Sequence, residues 1–379
     1  MRGVARLAPP TAMTHIFTKA NFFIFGLIGS SLAVGISPPS TEAQDTVSVS
    51  FDEKTFVGKP LFTSAYQTVL LARDGRIRRL PGTNDASITD LNKDFRGYSH
   101  TDLESRLRRE FGPRFEISFT RHYVVVHPRG QADFWAEKFE TLFTSFQHYF
   151  AIHGLQLKEP EFKLVALVFH SRNEFVAYTR RIKEPVGPRM LGYYSGRTNR
   201  IALYDLGDSE QASPRRSEAD STIYHEAAHQ AAFNCGIHMR FTAPPRWVSE
   251  GLGTLFESPG VWNATRYSQL QDRVNRRMLQ AFLQRVQSEP DSFNIEQLIA
   301  NDDLFQDDPV LAYASSWALS FYLSETHPDQ YVEVLKRTSQ KAPFKRITAE
   351  ERKADWEAVF KQSLDSLETQ ILNFYSQFD

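Results

Sequence analysis

Residues 220–230 read Asp220-Ser221-Thr222-Ile223-Tyr224-His225-Glu226-Ala227-Ala228-His229-Gln230. Asp220 or Ser221 can cap a helix here and Gly236 can end it, which sets both histidines mid-helix. Side chains four apart lie about 40° apart around a helix and one turn along it, so both imidazoles can reach one point. Glu226, about 100° around the helix from His225, flanks that point without occupying it. Two neutral nitrogen donors with a carboxylate beside them can hold a zinc ion and supply a base for water at the metal. The bland counterpart is an amphipathic helix with two solvent-facing histidines and a surface glutamate, packed through Tyr224, its alanine pairs and Phe233.

A third ligand separates the two readings. Pro244-Pro245-Arg246-Trp247-Val248-Ser249-Glu250-Gly251-Leu252-Gly253-Thr254-Leu255-Phe256-Glu257 opens a new helix just after its prolines. Twenty residues stand between His229 and Glu250, enough for a turn and an antiparallel return. That return can bring Glu250 to the histidines and leave a fourth position for water. Gly251 and Gly253 would allow close approach; a glycine inside a helix costs about 1 kcal/mol relative to alanine, so a packing or access reason is expected. Glu257, seven residues after Glu250 on the same face, could accept a hydrogen bond from a ligand histidine's other nitrogen and fix its tautomer. Its bland counterpart is an exposed helix carboxylate.

These segments resemble the gluzincin zinc metallopeptidases of the peptidase MA clan. His225-Glu226-Ala227-Ala228-His229-Gln230, with Asn234 four residues on, is similar to the HExxHQ…N stretch of aminopeptidase N-like enzymes. Trp247-Val248-Ser249-Glu250-Gly251, followed by Glu257, is similar to their WLNEGFA…E segment, which carries the glutamate ligand and a supporting glutamate. Tyr313-Ala314-Ser315-Ser316-Trp317-Ala318-Leu319-Ser320-Phe321-Tyr322-Leu323 is similar to their Y-x-K-G-x-x-L-x-x-L helix, whose tyrosine contacts the oxyanion. The resemblance covers residues 220 to about 325. Overall the chain looks like an uncharacterised family of bacterial exported proteins grouped with that clan.

The resemblance implies a thermolysin-like α+β catalytic domain, with Zn2+ held by His225, His229 and Glu250 and with Glu226 as general base. It further implies Tyr313 as a transition-state donor, Glu257 and Asn234 as supporting residues, and a peptide or protein substrate. On the residues alone Tyr313 reads as a packing tyrosine, and Tyr322 as core. Two departures narrow the inference. The interval from His229 to Glu250 is two residues longer than is usual in aminopeptidases, and no GxMEN-like sequence precedes the zinc helix, so aminopeptidase specificity is not carried over. The segment Gly192 to Tyr204 could instead be an edge strand that aligns an extended peptide by β-addition. Two other readings stay open: a catalytically inactive envelope protein that binds peptide or cell-wall polymer, and a zinc hydrolase of a different bond. Intact Glu226 argues against the first, because binding alone needs no base.

The elements that must position these residues change character along the chain. Phe115 to His127 alternates and is β-branched; Ala132 to His153 has aromatics at helical spacing; Lys163 to Phe169 is a short buried strand. Ser171 to Ile182 is a helix opened by a serine cap, and Leu191 to Leu206 is one or two strands around Ser195-Gly196. After Asp220 the pattern is almost entirely helical, broken near Gly236, Pro244-Pro245, Pro259-Gly260, Pro290, Pro309, Pro328 and Pro343. This predicts a peptidase domain over 115–379, made of a sheet-and-helix half (115–236) and a helical half (237–379). Residues 44–114 read as a small β-rich region with a short helix from Thr101 to Phe111, Thr101 as its N-cap and Glu104 completing a capping box. No chemistry is recognisable there, and a packing or positioning role is expected.

Lysine plus arginine total 44 against 45 acids, and the basic clusters are interrupted, so nucleic acid is not an expected partner. The chain has the 41% apolar and 23% charged content of a globular protein. Basic residues precede an apolar run over 21–36, about 15 residues against the roughly 20 a membrane span needs. Thr41-Glu42-Ala43 suits signal-peptidase cleavage, which predicts a signal peptide over 1–43 and an exported chain (periplasm, cell envelope or medium) with no stable membrane span after cleavage. An uncleaved anchor at 21–36 is the alternative. The single cysteine, Cys235, excludes a lipoprotein anchor and an intrachain disulfide, and reads as a small core residue. His122, His127, His148, His153, His170, His238 and His327 lack ligand spacing, and the last three read as solvated imidazoles at element ends.

Overall fold

The computed structural model describes residues 46–188, 190–207 and 214–378. The expected signal segment and the apolar run at 21–36 lie outside them. No helix among the described residues is long and apolar enough to cross a membrane. The fold is mixed α+β, with a β-rich N-terminal part and a helical C-terminal part.

Five antiparallel strands form the first sheet: β1 (Val47–Phe51), β2 (Lys54–Thr63), β3 (Gln67–Ala72), β4 (Ile77–Pro81) and β5 (Ser87–Asp90), in the order β4-β3-β2-β1-β5. The β1–β2 hairpin turns on Asp52 and Glu53, both left-handed with φ of 48° and 57°, as a two-residue hairpin demands. Helix α1 (His100–Phe111) follows. Its cap is Ser99, whose Oγ accepts from the Asp102 N–H at 3.1 Å, and not Thr101, which lies inside the first turn.

The second sheet runs β6 (Phe115–Phe119), β7 (Tyr123–Pro128), β8 (Leu164–Phe169), β10 (Arg200–Tyr204) and β9 (Gly192–Ser195). β7, β8 and β10 are parallel, while β6 and β9 pair antiparallel at the edges. The alternating stretch from Phe115 is thus a hairpin and not one strand; the Thr120 N–H closes its turn on the Tyr123 carbonyl at 3.0 Å. The central strands are buried on both faces, as a parallel sheet covered by helices must be. Val125, Ala166, Val168 and Ile201 face the core shared with α2 (Ala132–Ile152) and α4 (Pro214–Asn234). Val124, Val126, Val165 and Leu167 face α1 and α3 (Arg172–Arg181), which is capped by Ser171.

α4 begins at Pro214, ahead of the expected Asp220 or Ser221, because a proline at the first helical position lacks only an N–H that would go unpaired anyway. The rest is helical: α5 (Arg246–Phe256), α6 (Pro259–Trp262), α7 (Leu270–Arg273), α8 (Arg276–Ser288), α9 (Ile295–Ala300), α10 (Leu304–Asp307), α11 (Pro309–Thr326), α12 (Pro328–Ser339), α13 (Ala349–Phe360) and α14 (Leu364–Tyr375). α11 is buried from Leu311 to Ser324 and packs against α5 and α8. It is the central post of this half, and it backs α5 against α4.

Candidate metal centre

α4 gives Ala227, Ala228, Ala231 and Ala232 to the core it shares with the sheet. Gln230 donates to the carbonyls of Val165 at 3.1 Å and Asn199 at 2.8 Å, which fixes the rotation of the helix on the strands. Asn234 is not brought to the histidines. Its amide donates to Asn199 Oδ1 at 2.8 Å and accepts from Asn199 Nδ2 at 2.9 Å, tying the helix end to the β9–β10 turn. The Tyr194 hydroxyl donates to the same Asn199 oxygen at 2.7 Å.

With the helix so held, His225 and His229 meet Glu250 of α5. Their Nε2 atoms lie 3.0 Å apart, and Glu250 Oε2 is 3.3 Å from His225 Nε2 and 3.7 Å from His229 Nε2. Donor atoms of these three residues all lie within 4.8 Å of one another. Ligands about 2.0–2.1 Å from a tetrahedral zinc ion are spaced about 3.3 Å apart, so the three spacings bracket what zinc requires. Glu250 is 0% exposed and its oxygens lack a conventional hydrogen-bond donor. A buried carboxylate in that condition requires a positive charge beside it, which a metal ion or, without one, a protonated His225 supplies. Zn2+ fits this donor set, two imidazoles and one carboxylate.

The approach is steric as well as electrostatic. A Cβ on Gly253 would stand 2.7 Å from the His225 ring, and one on Gly251 would stand 2.6 Å from the Ser316 carbonyl of α11. Glu257, just past the end of α5, reaches His225 Nδ1 with Oε1 at 3.0 Å, while Asn275 and Arg277 donate to its Oε2 at 2.9 and 3.1 Å. Glu226 points to the sheet edge, its Oε2 accepting from the Tyr194 N–H at 2.6 Å. Tyr313, on α11, is buried beside Glu250 and Glu226.

The charges follow from this crowding. Burial would raise the Glu250 carboxyl, but the two imidazoles hold it well below the usual carboxylate range. Burial would lower His225, yet Glu250 and Glu257 push it up to about 10. Glu226 is raised, chiefly by burial, against the pull of both histidines. Burial and then the Glu250 charge drive the Tyr313 hydroxyl well above its ordinary value.

Three participants left no spacing signal. Asn199, Asn275 and Arg277 arrive from other elements. The remaining histidines divide. His238, expected in solvent, is 3% exposed, because the Ile237 and His238 N–H groups both turn back onto the Ala232 carbonyl. Burial and the nearby His229 push it down to about 3. His122 is buried as well, between Glu140 at 2.6 Å and Glu159 at 3.1 Å.

The family model DUF1570, described as a protein of unknown function, matches residues 219–345. The comparison with curated proteins found no match. Among solved structures, native leukotriene A4 hydrolase from Saccharomyces cerevisiae is similar at 14% identity and a TM-score of 0.40, covering 69% of this chain and 37% of that one. A second native structure of the yeast enzyme gives 15% and 0.39, covering 66% and 38%. The yeast enzyme in complex with bestatin gives 14% and 0.37, covering 68% and 37%. The chain spans less than two-fifths of the length of these proteins.

Proposed function

We propose that this chain is a zinc-dependent peptidase of the gluzincin kind, with a thermolysin-like catalytic domain, exported to the cell envelope or beyond. The observation that carries the reading is the convergence of the buried His225, His229 and Glu250 donor atoms within 4.8 Å, with Glu226 alongside. A zinc ion held by His225, His229 and Glu250 would supply Lewis acidity for the attacking water and the carbonyl. Glu226 takes a proton from the attacking water and delivers it to the leaving amine, a task suited to a carboxyl raised by burial. Tyr313 stays protonated and donates to the developing oxyanion, an effect commonly worth about 3 kcal/mol. Glu257 accepts from His225 Nδ1 and aims its other nitrogen. β9, whose partner is β10, offers its outer edge to an extended peptide backbone.

The test is cleavage profiling of the mature chain on a mixed peptide library, with and without chelator. Cuts that vanish with chelator and return with zinc are expected. Glu226→Gln should keep zinc stoichiometry and lose hydrolysis; full activity in that variant removes the assigned base. Peptides retained but never cut would point to a binding protein.

A further inference from the structure

Arg246 opens α5 one helical turn before Glu250, so the two side chains share a face, about 5–6 Å apart at Cβ. Its backbone N–H is taken by Asp302 at 3.0 Å, and that carboxylate is already matched by a two-bond fork from Arg352 at 2.8 and 3.0 Å. The Arg246 guanidinium stands over Phe305, 4.1 Å from the ring centroid. Phe305 meets Tyr313 edge-on at 5.5 Å, and the Arg246 charge is felt at the Tyr313 hydroxyl. Arg246 therefore lies on the Tyr313 side of the cluster formed by His225, His229 and Glu250.

Buried arginines here are otherwise engaged through the guanidinium: Arg240 donates to the Gly75 and Gly196 carbonyls, and three others meet acids. Arg200 is paired with Glu110, Arg273 with Glu325 and Arg352 with Asp302. Arg246 forms no ion pair with a carboxylate among the described residues; its Nε is buried without a hydrogen-bond partner, as are those of Arg200 and Arg352, but those two meet acids through their terminal nitrogens. A planar guanidinium held by stacking beside a reaction site is preorganised for a two-bond fork to a carboxylate. Partial burial strengthens that attraction relative to open surface.

Resting on the peptidase reading of the site, we propose that Arg246 is a specificity-determining residue that binds a substrate carboxylate on the Tyr313 side of the scissile bond. The carboxylate is either the C-terminus of a short peptide or an acidic side chain; both present the same fork.

Matched peptides test this: one sequence as free acid and as C-terminal amide, and with Glu or Gln beside the scissile position. Binding is measured by calorimetry on the zinc-loaded full chain carrying Glu226→Gln, and hydrolysis on the chain with Glu226 intact. Acid forms should bind at least about tenfold tighter than their neutral partners, as a charge-assisted fork implies. Arg246→Gln, or Arg246→Met if the packing on Phe305 must be kept, should erase that ratio and leave neutral peptides within about twofold. Arg246→Lys should restore part of it. The pair that moves, amide or Gln, identifies which carboxylate is read. Equal binding of acid and neutral forms, no binding of either, or an equal loss for both in the variants overturns the proposal. Acid preference without hydrolysis would instead sink only the peptidase reading.

Discussion

Glu257 has an acceptor task at each carboxylate oxygen: His225 Nδ1 faces one, Asn275 and Arg277 the other. Burial would raise it, but Arg277 and His225 keep it below the ordinary carboxylate range, so it remains an acceptor. In the neutral imidazole that a metal would need, this assigns the proton to Nδ1 and turns the Nε2 lone pair toward His229 and Glu250. An amide offers one acceptor where two are needed. Glu257→Gln is therefore expected to weaken zinc binding about 10–100-fold with the fold retained; competition against a calibrated chelator, with a thermal melt as control, measures it. Glu250→Ala should abolish stoichiometric zinc, and unchanged metal content would point to another ligand. Glu257 was legible because seven residues make two helical turns from Glu250. Asn275 and Arg277 were not, since they arrive through α6 and α7, where no periodicity runs across the breaks.

α5 has to be thin on two sides, and its two glycines answer to different neighbours. Gly251 faces the α11 backbone, while Gly253 faces the His225 ring. Gly251→Ala should loosen α5 from α11 and lower stability by about 1–3 kcal/mol, read by urea unfolding. Gly253→Ala gains helix propensity by about 1 kcal/mol but displaces a ligand ring, so its expected signature is weaker zinc binding with little loss in the metal-free melt. Equal effects from both variants would contradict the division. At this scale the sequence speaks where a local rule is complete. The histidine spacing lies within one helix, and the Ser171 cap stands directly before its own. Reading fails where two rules compete. Ser99 and Thr101 both suit a cap, and only the extended backbone at Ser99 decides. Alternation also runs straight through the Thr120 turn, hiding a hairpin inside one apparent strand.

Across the whole molecule the first sheet meets the region that carries the metal centre. The Ile77 N–H bonds the Arg197 carbonyl at 2.8 Å, and buried Arg240 donates to the carbonyls of both Gly75 and Gly196 at 2.7 Å. Gly75, left-handed at φ +79°, lies so close to Asn199 that a Cβ would stand 2.8 Å from its amide nitrogen. Asn199 in turn holds Asn234 and the end of α4. Nothing in residues 44–114 announced this, because carbonyl contacts between turns leave no mark on residue type. Glu110 of α1 completes the junction, bonded to Arg200 at 2.9 and 3.0 Å and to Arg76 at 2.9 Å. Its side chain is 24% exposed and that of Arg200 only 3%, so removing the acid strands a buried charge. Glu110→Gln is expected to lose roughly 3 kcal/mol at neutral pH. Burial raises the Glu110 carboxyl, but Arg200 and Arg76 outweigh it and leave it below its ordinary 4.5. A depressed folded value means the unfolded chain takes up the proton first as acid is added. The stabilisation is then complete above about pH 4.5 and disappears as pH falls through the depressed folded value. Urea midpoints for both chains, taken from neutral pH into acid, should converge over that window; a gap that stays constant would assign the stability to packing around Glu110 and not to its charge.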